Sequence, residues 1–311
     1  LAHEPMRVIG VDLGGSKAEY AEVAIGESLK PHWIDQKGRV KGSQYGQGYV
    51  LFLRLIGEFA RDNEIPVGIS TAGVVDGTKL IRTSNMNLLE ADLNTYYDGD
   101  FSNTIRTLKT VVNDGAAGTI ASYVEAKRKF PDTRQVINLI VGSGFGGAVL
   151  KDNTVWSMEP GHIQTVPELN PYKRKGLCVL SNTDTSCLHL VTGKKGLSDT
   201  YSTLTGRSLT TLGYAIQAPH QNELAQELYE NSATTAALTV EGIGKTFGMF
   251  QNPADTTVAF HGGLFNSAIY QERVARHLSQ ALGFEPQIIA TKDFSKNACL
   301  DGAAIAAALA A

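Results

Sequence analysis

Three short hydrophobic runs in this chain each stop at glycine: RVIGVDLGG from residue 7, VINLIVGSGFGG from 136 and TVAFHGG from 257. A β-branched run that ends this abruptly reads as a strand entering a tight turn, because glycine takes backbone conformations closed to other residues. The first two runs are each followed by a second apolar stretch, AEYAEVA at 18–24 and AVLKD at 148–152. A strand–glycine turn–strand unit at both 7–24 and 136–150 predicts two related halves. Between and after them the periodicity changes. VLFLRLIGEFARDN from 50 places Phe52, Leu55, Ile56 and Phe59 on one predicted helical face, and VGIS at 67–70 reads as a strand. VVND at 111–114 reads as a strand end, with the small-residue helix GAAGTIASYVEAK behind it. TVEGIGKTFGMF and SAIYQERVARHLSQALG read as helices, and QIIA and an alanine-rich helix close the sequence. Alternating strands and helices predict an α/β architecture.

Bulk properties narrow the function classes. At 311 residues the chain has the length at which single cores divide in two. A net charge of −3 without a long basic run argues against nucleic acid as a partner. No stretch approaches the roughly 18 apolar residues of a membrane helix. Three cysteines do not make a disulfide framework for a chain this long, so a cytoplasmic setting is expected. Glycine is the unusual component: 32 residues, where an average composition would give about 7%.

The glycines point toward anion chemistry. In VDLGGSKAEY, successive backbone N–H groups of a glycine turn can form an anion nest; Ser16 and Lys17 add donors, and Asp12 could hold a metal-bound water. A hairpin that merely needs glycine in its turn is the plain alternative. VGSGFGG and HGG offer two further nests, and three such turns could close on one polyphosphate. Neither GxxxxGK[ST] nor a strand–GxGxxG–helix is present, which removes P-loop and dinucleotide readings. Asn113 and Asp114 end a strand where ligand sites of α/β proteins gather, although Asp114 could instead cap the following helix.

VDLGGSKAEYAEV, GISTAGVVDG, VVNDGAAG, VGSGFGGAV, EPGHIQ and VAFHGG, in this order and spacing, resemble the ROK family of sugar kinases and sugar-responsive repressors. The resemblance runs from about residue 7 to the GAA near 302. It implies an actin/hexokinase-like (ribonuclease H-like) α/β fold of two lobes with an interlobe active-site cleft. The expected division is 1–113 plus 296–311 for the first lobe and 114–295 for the second. It also implies phosphoryl transfer from ATP with Mg²⁺ to a hexose hydroxyl, usually on carbon 6, and family members often form homodimers. Position by position, Gly14, Gly15, Ser16 and Lys17 fall on the first phosphate loop, with Asp12 supporting Mg²⁺. Gly142, Ser143 and Gly144 fall on the second phosphate loop, and Gly262 and Gly263 along the adenosine. Asp114 matches the general base, while Asn85, Asn113, Glu159, His162 and His189 fall at sugar-contacting positions. Family repressors carry a DNA-binding domain ahead of this region. The first strand begins here by residue 7, so catalysis is expected over a silent sugar sensor.

One segment departs from the pattern. In the family, GH is followed by C-x-C-G-x-x-G-C-x-E, whose cysteines hold a structural zinc with the histidine and whose glutamate touches the sugar. Here His162 and Cys178 remain, Leu180 takes the second cysteine position, and Cys187 comes two residues late. His189 stands at the glutamate position, so the zinc is expected to be lost and His162, Cys178 and Cys187 to be its remnant. An imidazole for a carboxylate alters the pocket around carbons 1 and 2, which makes an acetamido sugar, a ketose or an unusual hexose as good a candidate as glucose.

Overall fold

The computed structural model describes residues 4–14, 17–41, 48–82, 99–142, 144–173, 175–178, 183–207, 223–290, 293 and 297–311. The first glycine-ended run is β1 (Met6–Leu13), which returns antiparallel as β2 (Lys17–Ile25), with Asp12 opposite Glu19. β3 (Pro31–Lys41) extends the hairpin, and β4 (Val67–Thr71) and a later strand, Leu108–Asn113, join β1 in parallel on its other side. A small separate hairpin, β5 (Val74–Asp76) and β6 (Lys79–Arg82), precedes that strand, which is therefore β7. The five-stranded order is β3-β2-β1-β4-β7.

The second sheet repeats this plan. β8 (Gln135–Val141), β9 (Phe145–Lys151) and β10 (Thr154–Met158) form the antiparallel part; β13 (Thr256–His261) and β14 (Gln287–Ala290) add in parallel. Its order, β10-β9-β8-β13-β14, matches the first sheet strand for strand. A two-stranded ribbon, β11 (Gly176–Cys178) with β12 (Thr183–Thr185), lies between β10 and β13 in the chain. The two related halves expected from the glycine pattern are thus present as one topology used twice.

The chain forms two compact units, Leu1–Glu125 with Ser295–Ala311, and Ala126–Phe294. The boundary expected at 113/114 falls at the start of α2 (Asp114–Lys129), whereas the units divide within that helix's last turn. Each has its own core. In the first, Ile9, Val11, Val67 and Ile69 pack with α1 (Gly48–Asp62). Of the expected face, Phe52, Ile56 and the partly buried Phe59 pack into this core, but Leu55 is 56% exposed and Leu53, at 1%, takes its place. The face runs through Tyr49, Phe52, Leu53, Ile56 and Ala60, a stripe that apolar residues all round the helix had obscured. In the second unit, β8 and β13 are packed by α4 (Glu223–Thr246) and α5 (Ala268–Leu282), after the shorter α3 (Lys194–Thr205). Only the end of α4 was read from the sequence, because the run of Ala, Ser and Thr before it carries a weak apolar period. Among the described residues no helix is long and apolar enough to cross a membrane.

The last helix, α6 (Ala298–Ala310), packs on β1, β4 and β7 of the first unit. Close approach there requires glycine. A Cβ on Gly302 would lie 1.8 Å from the Ala117 carbonyl oxygen, and one on Gly68 2.0 Å from that of Ala303. Gly→Ala inside a helix ordinarily stabilises by about 1 kcal/mol. Gly302→Ala is expected to do the reverse, costing about 2–3 kcal/mol through overpacking against backbone. A thermal melt checks this, with Tm lower by roughly 5–10 °C.

Candidate active site

In the first unit the parallel strands set two carboxylates at their C-terminal ends. Asp12 pairs with Ser70 of β4, and Thr71 pairs with Asn113 of β7. Asp12 and the Asn113-Asp114 pair are therefore separated by one strand, about 10 Å by ordinary strand spacing. The Asn113 side chain caps α2: its Oδ1 accepts from the N–H groups of Gly115 at 2.9 Å and Ala116 at 3.4 Å. Its Nδ2 donates to the Gly73 carbonyl at 3.0 Å, which leaves the second amide hydrogen as what Asn113 can offer a ligand. Asp114 Oδ1 also accepts from Gly115 N–H, at 2.8 Å. The capping role that was the plain alternative for Asp114 is thus carried chiefly by its neighbour.

Around Asp12 the structure gathers residues that the sequence reading missed. Asn297 Nδ2 donates one hydrogen to Asp12 Oδ2 and the other to Glu19 Oε2, both at 2.9 Å. Lys17 Nζ donates to the same Glu19 oxygen at 2.7 Å. Burial raises the Asp12 carboxyl above its ordinary range; the Asn297 amide and the Lys17 ammonium act against that. The two carboxylate groups, Asp12 and Glu19, are oxygen donors of the kind a hard cation such as Mg²⁺ takes. Glu19 could have been noticed as the cross-strand partner of Asp12, and Asn297 as the helix cap before ACLDGAA. Their meeting, 278 positions apart in sequence, could not. The first glycine turn is closed by a bond from Gly14 N–H to the Lys17 carbonyl at 2.9 Å, and Tyr49 Oη donates to the Gly14 carbonyl.

In the second unit the other two glycine turns lie side by side. β8 and β13 are paired in parallel, so Gly142 and Gly262 leave the sheet at the same end. Gly262 has φ +102°, and a Cβ on it would sit 2.3 Å from the Val141 carbonyl and 2.9 Å from Gly142 N. Only glycine fits there. Among the described residues nothing lies within 4 Å of a Cβ built on Gly142, Gly144 or Gly263. His261, just before Gly262, is 6% exposed, and burial lowers its imidazole to about 3. The sign follows from the unfolded chain, where histidine titrates near about 6.5 and takes a proton that the folded state refuses. Stability is therefore whole above that pH and lost as pH falls toward 3. Between pH 7 and 5 the contribution is about 2 kcal/mol, and His261→Gln is expected to flatten the pH dependence of urea unfolding by that amount.

Glu159, His162 and His189 also belong to this unit. Glu159 precedes the turn Pro160–His162, and its carboxyl is raised by burial, with His162 opposing. His189 Nδ1 lies 2.9 Å from the Gly161 carbonyl, and the His162 and His189 rings are 5.5 Å apart. Burial lowers the His189 imidazole, which keeps it neutral. Asn85, Gly15, Ser16 and Ser143 lie outside the described residues. Cys178 ends β11, and its side chain is likewise outside them.

The sequence profile of the ROK family matches residues 8–310. The chain belongs to the ROK family. Solved structures similar to this ROK chain include a ROK hexokinase from Thermus thermophilus, 19% identical over 98% of each chain with a TM-score of 0.66. A ROK family glucokinase from Streptomyces griseus, in complex with glucose and AMPPNP, is 19% identical over 96% of this chain and 98% of its own, TM-score 0.67. A ROK family transcriptional regulator, a homologue of the E. coli MLC protein, is 15% identical and has a TM-score of 0.62; 98% of this chain covers 79% of that one. Among curated proteins none matches in sequence. At these identities the structural likeness shows the fold: a mixed α/β chain with the two sheets of the actin-like ROK hexokinases.

Proposed function

We propose that this ROK chain is an ATP-dependent hexose kinase that phosphorylates the 6-hydroxyl with Asp114 as general base. The observation that carries the reading is the placement of Asp12 and Asp114 at strand C-termini one strand apart, with Asn113 taking the helix cap. The glucokinase that shares this fold was solved with glucose and an ATP analogue, which supports the same pair of ligands here.

Phosphoryl transfer leaves a protein chiefly with positioning and charge stabilisation. Asp114 would accept the proton of the attacking hydroxyl as the new P–O bond forms. Asn113 and Glu159 would orient the sugar, together with His162 and His189; Asn85 is the remaining sugar-contacting proposal. Gly14, Gly15, Ser16, Lys17, Gly142, Ser143 and Gly144 would supply donors to the phosphates, and Gly262 and Gly263 would lie along the adenosine. Asp12, pinned by Asn297 beside Glu19, would hold Mg²⁺ through water. When bound, that ion neutralises phosphate charge. His189 at the glutamate position favours substrates that differ from glucose at carbons 1 and 2.

The test is ADP release from Mg-ATP with glucose, mannose, fructose, allose, glucosamine, N-acetylglucosamine and N-acetylmannosamine. Turnover with one of them is the expected result. A sugar that binds without turnover would instead make the chain a sensor, the reading suggested by the regulator of similar fold.

A further inference from the structure

His162, Cys187 and His189 meet. One donor atom from each lies within 4.8 Å of the other two, and Cys187 is buried at 1% exposure. The loss expected for the zinc site rested on the missing cysteine positions, and the structure supplies donors that the family spacing does not contain. Three local features bring them together. His162 ends the turn Pro160–His162; Gln164 forms a β-bridge with Cys187, with Leu188 N–H bonded to the Ile163 carbonyl at 2.9 Å; and His189 opens the helical turn His189–Thr192. The two strand-like segments are thus zipped together, which brings His162 before the bridge, Cys187 in it and His189 after it to one place.

We infer that His162, Cys187 and His189 form a transition-metal site for Zn²⁺ or a similar borderline cation, built from a ligand set different from the family's histidine and three cysteines.

The donor chemistry fits. Imidazole nitrogen with thiolate sulfur selects zinc and its neighbours over Mg²⁺ or Ca²⁺. Zn–N near 2.0–2.1 Å and Zn–S near 2.3 Å in a tetrahedron put donor atoms roughly 3.5 Å apart, so closure needs each separation to shrink by about 1.3 Å at most. The Gly161 carbonyl can only accept, so its 2.9 Å contact makes His189 Nδ1 the N–H nitrogen and leaves the lone pair on Nε2. A backbone carbonyl fixing the tautomer of a ligating histidine is the usual outer support of a metal site. The Cys187 sulfur lies 3.6 Å from the His162 carbonyl, on the side of its partner ligand. In this arrangement both ring nitrogens of His189 are used, one on the Gly161 carbonyl and one on the metal, so at its sugar-contacting position it would shape the pocket by ring bulk and by the missing carboxylate; the histidine substitution and the displaced cysteine become one change.

The inference is independent of catalysis and is read by metal binding to the full chain. Protein stripped with a chelator is titrated with Co²⁺ and then with competing Zn²⁺, followed by absorbance. One equivalent of Co²⁺ per chain is expected, with intense visible d–d bands and a thiolate-to-cobalt charge-transfer band that Zn²⁺ abolishes. Cys187→Ser should remove the charge-transfer band. His189→Ala should weaken binding by about 100-fold or more, since even outer-shell partners are worth 10–100-fold. A wild-type spectrum with no charge-transfer band overturns the site without reference to any variant. A band that survives Cys187→Ser would place the thiolate elsewhere, and an affinity unchanged in His189→Ala would remove that ligand; either result contradicts the proposed set.

Discussion

Asp114→Asn is expected to lower kcat by about 10² to 10⁴, the usual worth of a positioned general base, while sugar and Mg-ATP affinities stay within a few-fold. The substitution is nearly isosteric and keeps an oxygen that can accept from Gly115 N–H, as Oδ1 does at 2.8 Å. The cap of α2 is made chiefly by Asn113, so the fold should hold and Tm should move little. What disappears is the ability to take a proton, an ability needed only as the hydroxyl attacks. A loss confined to the transition state lowers kcat and kcat/KM together. Steady-state kinetics with isothermal titration of the sugar checks both halves. Full activity in the variant would mean that another group takes the proton.

The second large effect concerns Asn297. Its two amide hydrogens go to two different carboxylates, and its Oδ1 accepts from Cys299 and Leu300 N–H, both at 3.1 Å, to cap α6. These two jobs can be separated. Asn297→Asp keeps a capping oxygen, since aspartate caps as well as asparagine. It replaces the donor shared by Asp12 and Glu19 with a third negative charge beside them. The expected result is a kcat/KM for Mg-ATP lower by about 10- to 100-fold, the range for removing a group that orients a ligating carboxylate. The sugar KM should change much less. A cap alone would predict the opposite pattern, with Tm unaffected and kinetics near wild type, so a normal KM for Mg-ATP would reduce Asn297 to a structural residue.

What the sequence revealed and what it hid divide along a physical line. The glycine-ended runs were legible because strand and turn chemistry are local: β1, β8 and β13 each end beside the glycines that stop them. The repeated hairpins also foretold the matched sheet orders. Asp114 was legible as a strand-end acid, although its relation to Asn113 as cap required coordinates. The α1 face was read wrongly at one position, Leu55 in place of Leu53, because Leu51, Leu53 and Leu55 make several apolar stripes available, and only packing chose among them. Asn297 was hidden for a different reason, and of His162, Cys187 and His189 the sequence offered the donor types but not their meeting. Their partners are set by tertiary contacts or by the bridge between Gln164 and Cys187, and no spacing rule encodes such contacts.

The most direct measurement is ³¹P NMR of a reaction containing the chain, Mg-ATP and the sugar that best stimulates ADP release. The account predicts a phosphomonoester resonance split by two methylene protons, as a phosphate on carbon 6 requires, and its absence from the Asp114→Asn reaction. Inorganic phosphate as the only new signal, or no new signal with sugar bound, would contradict the kinase assignment.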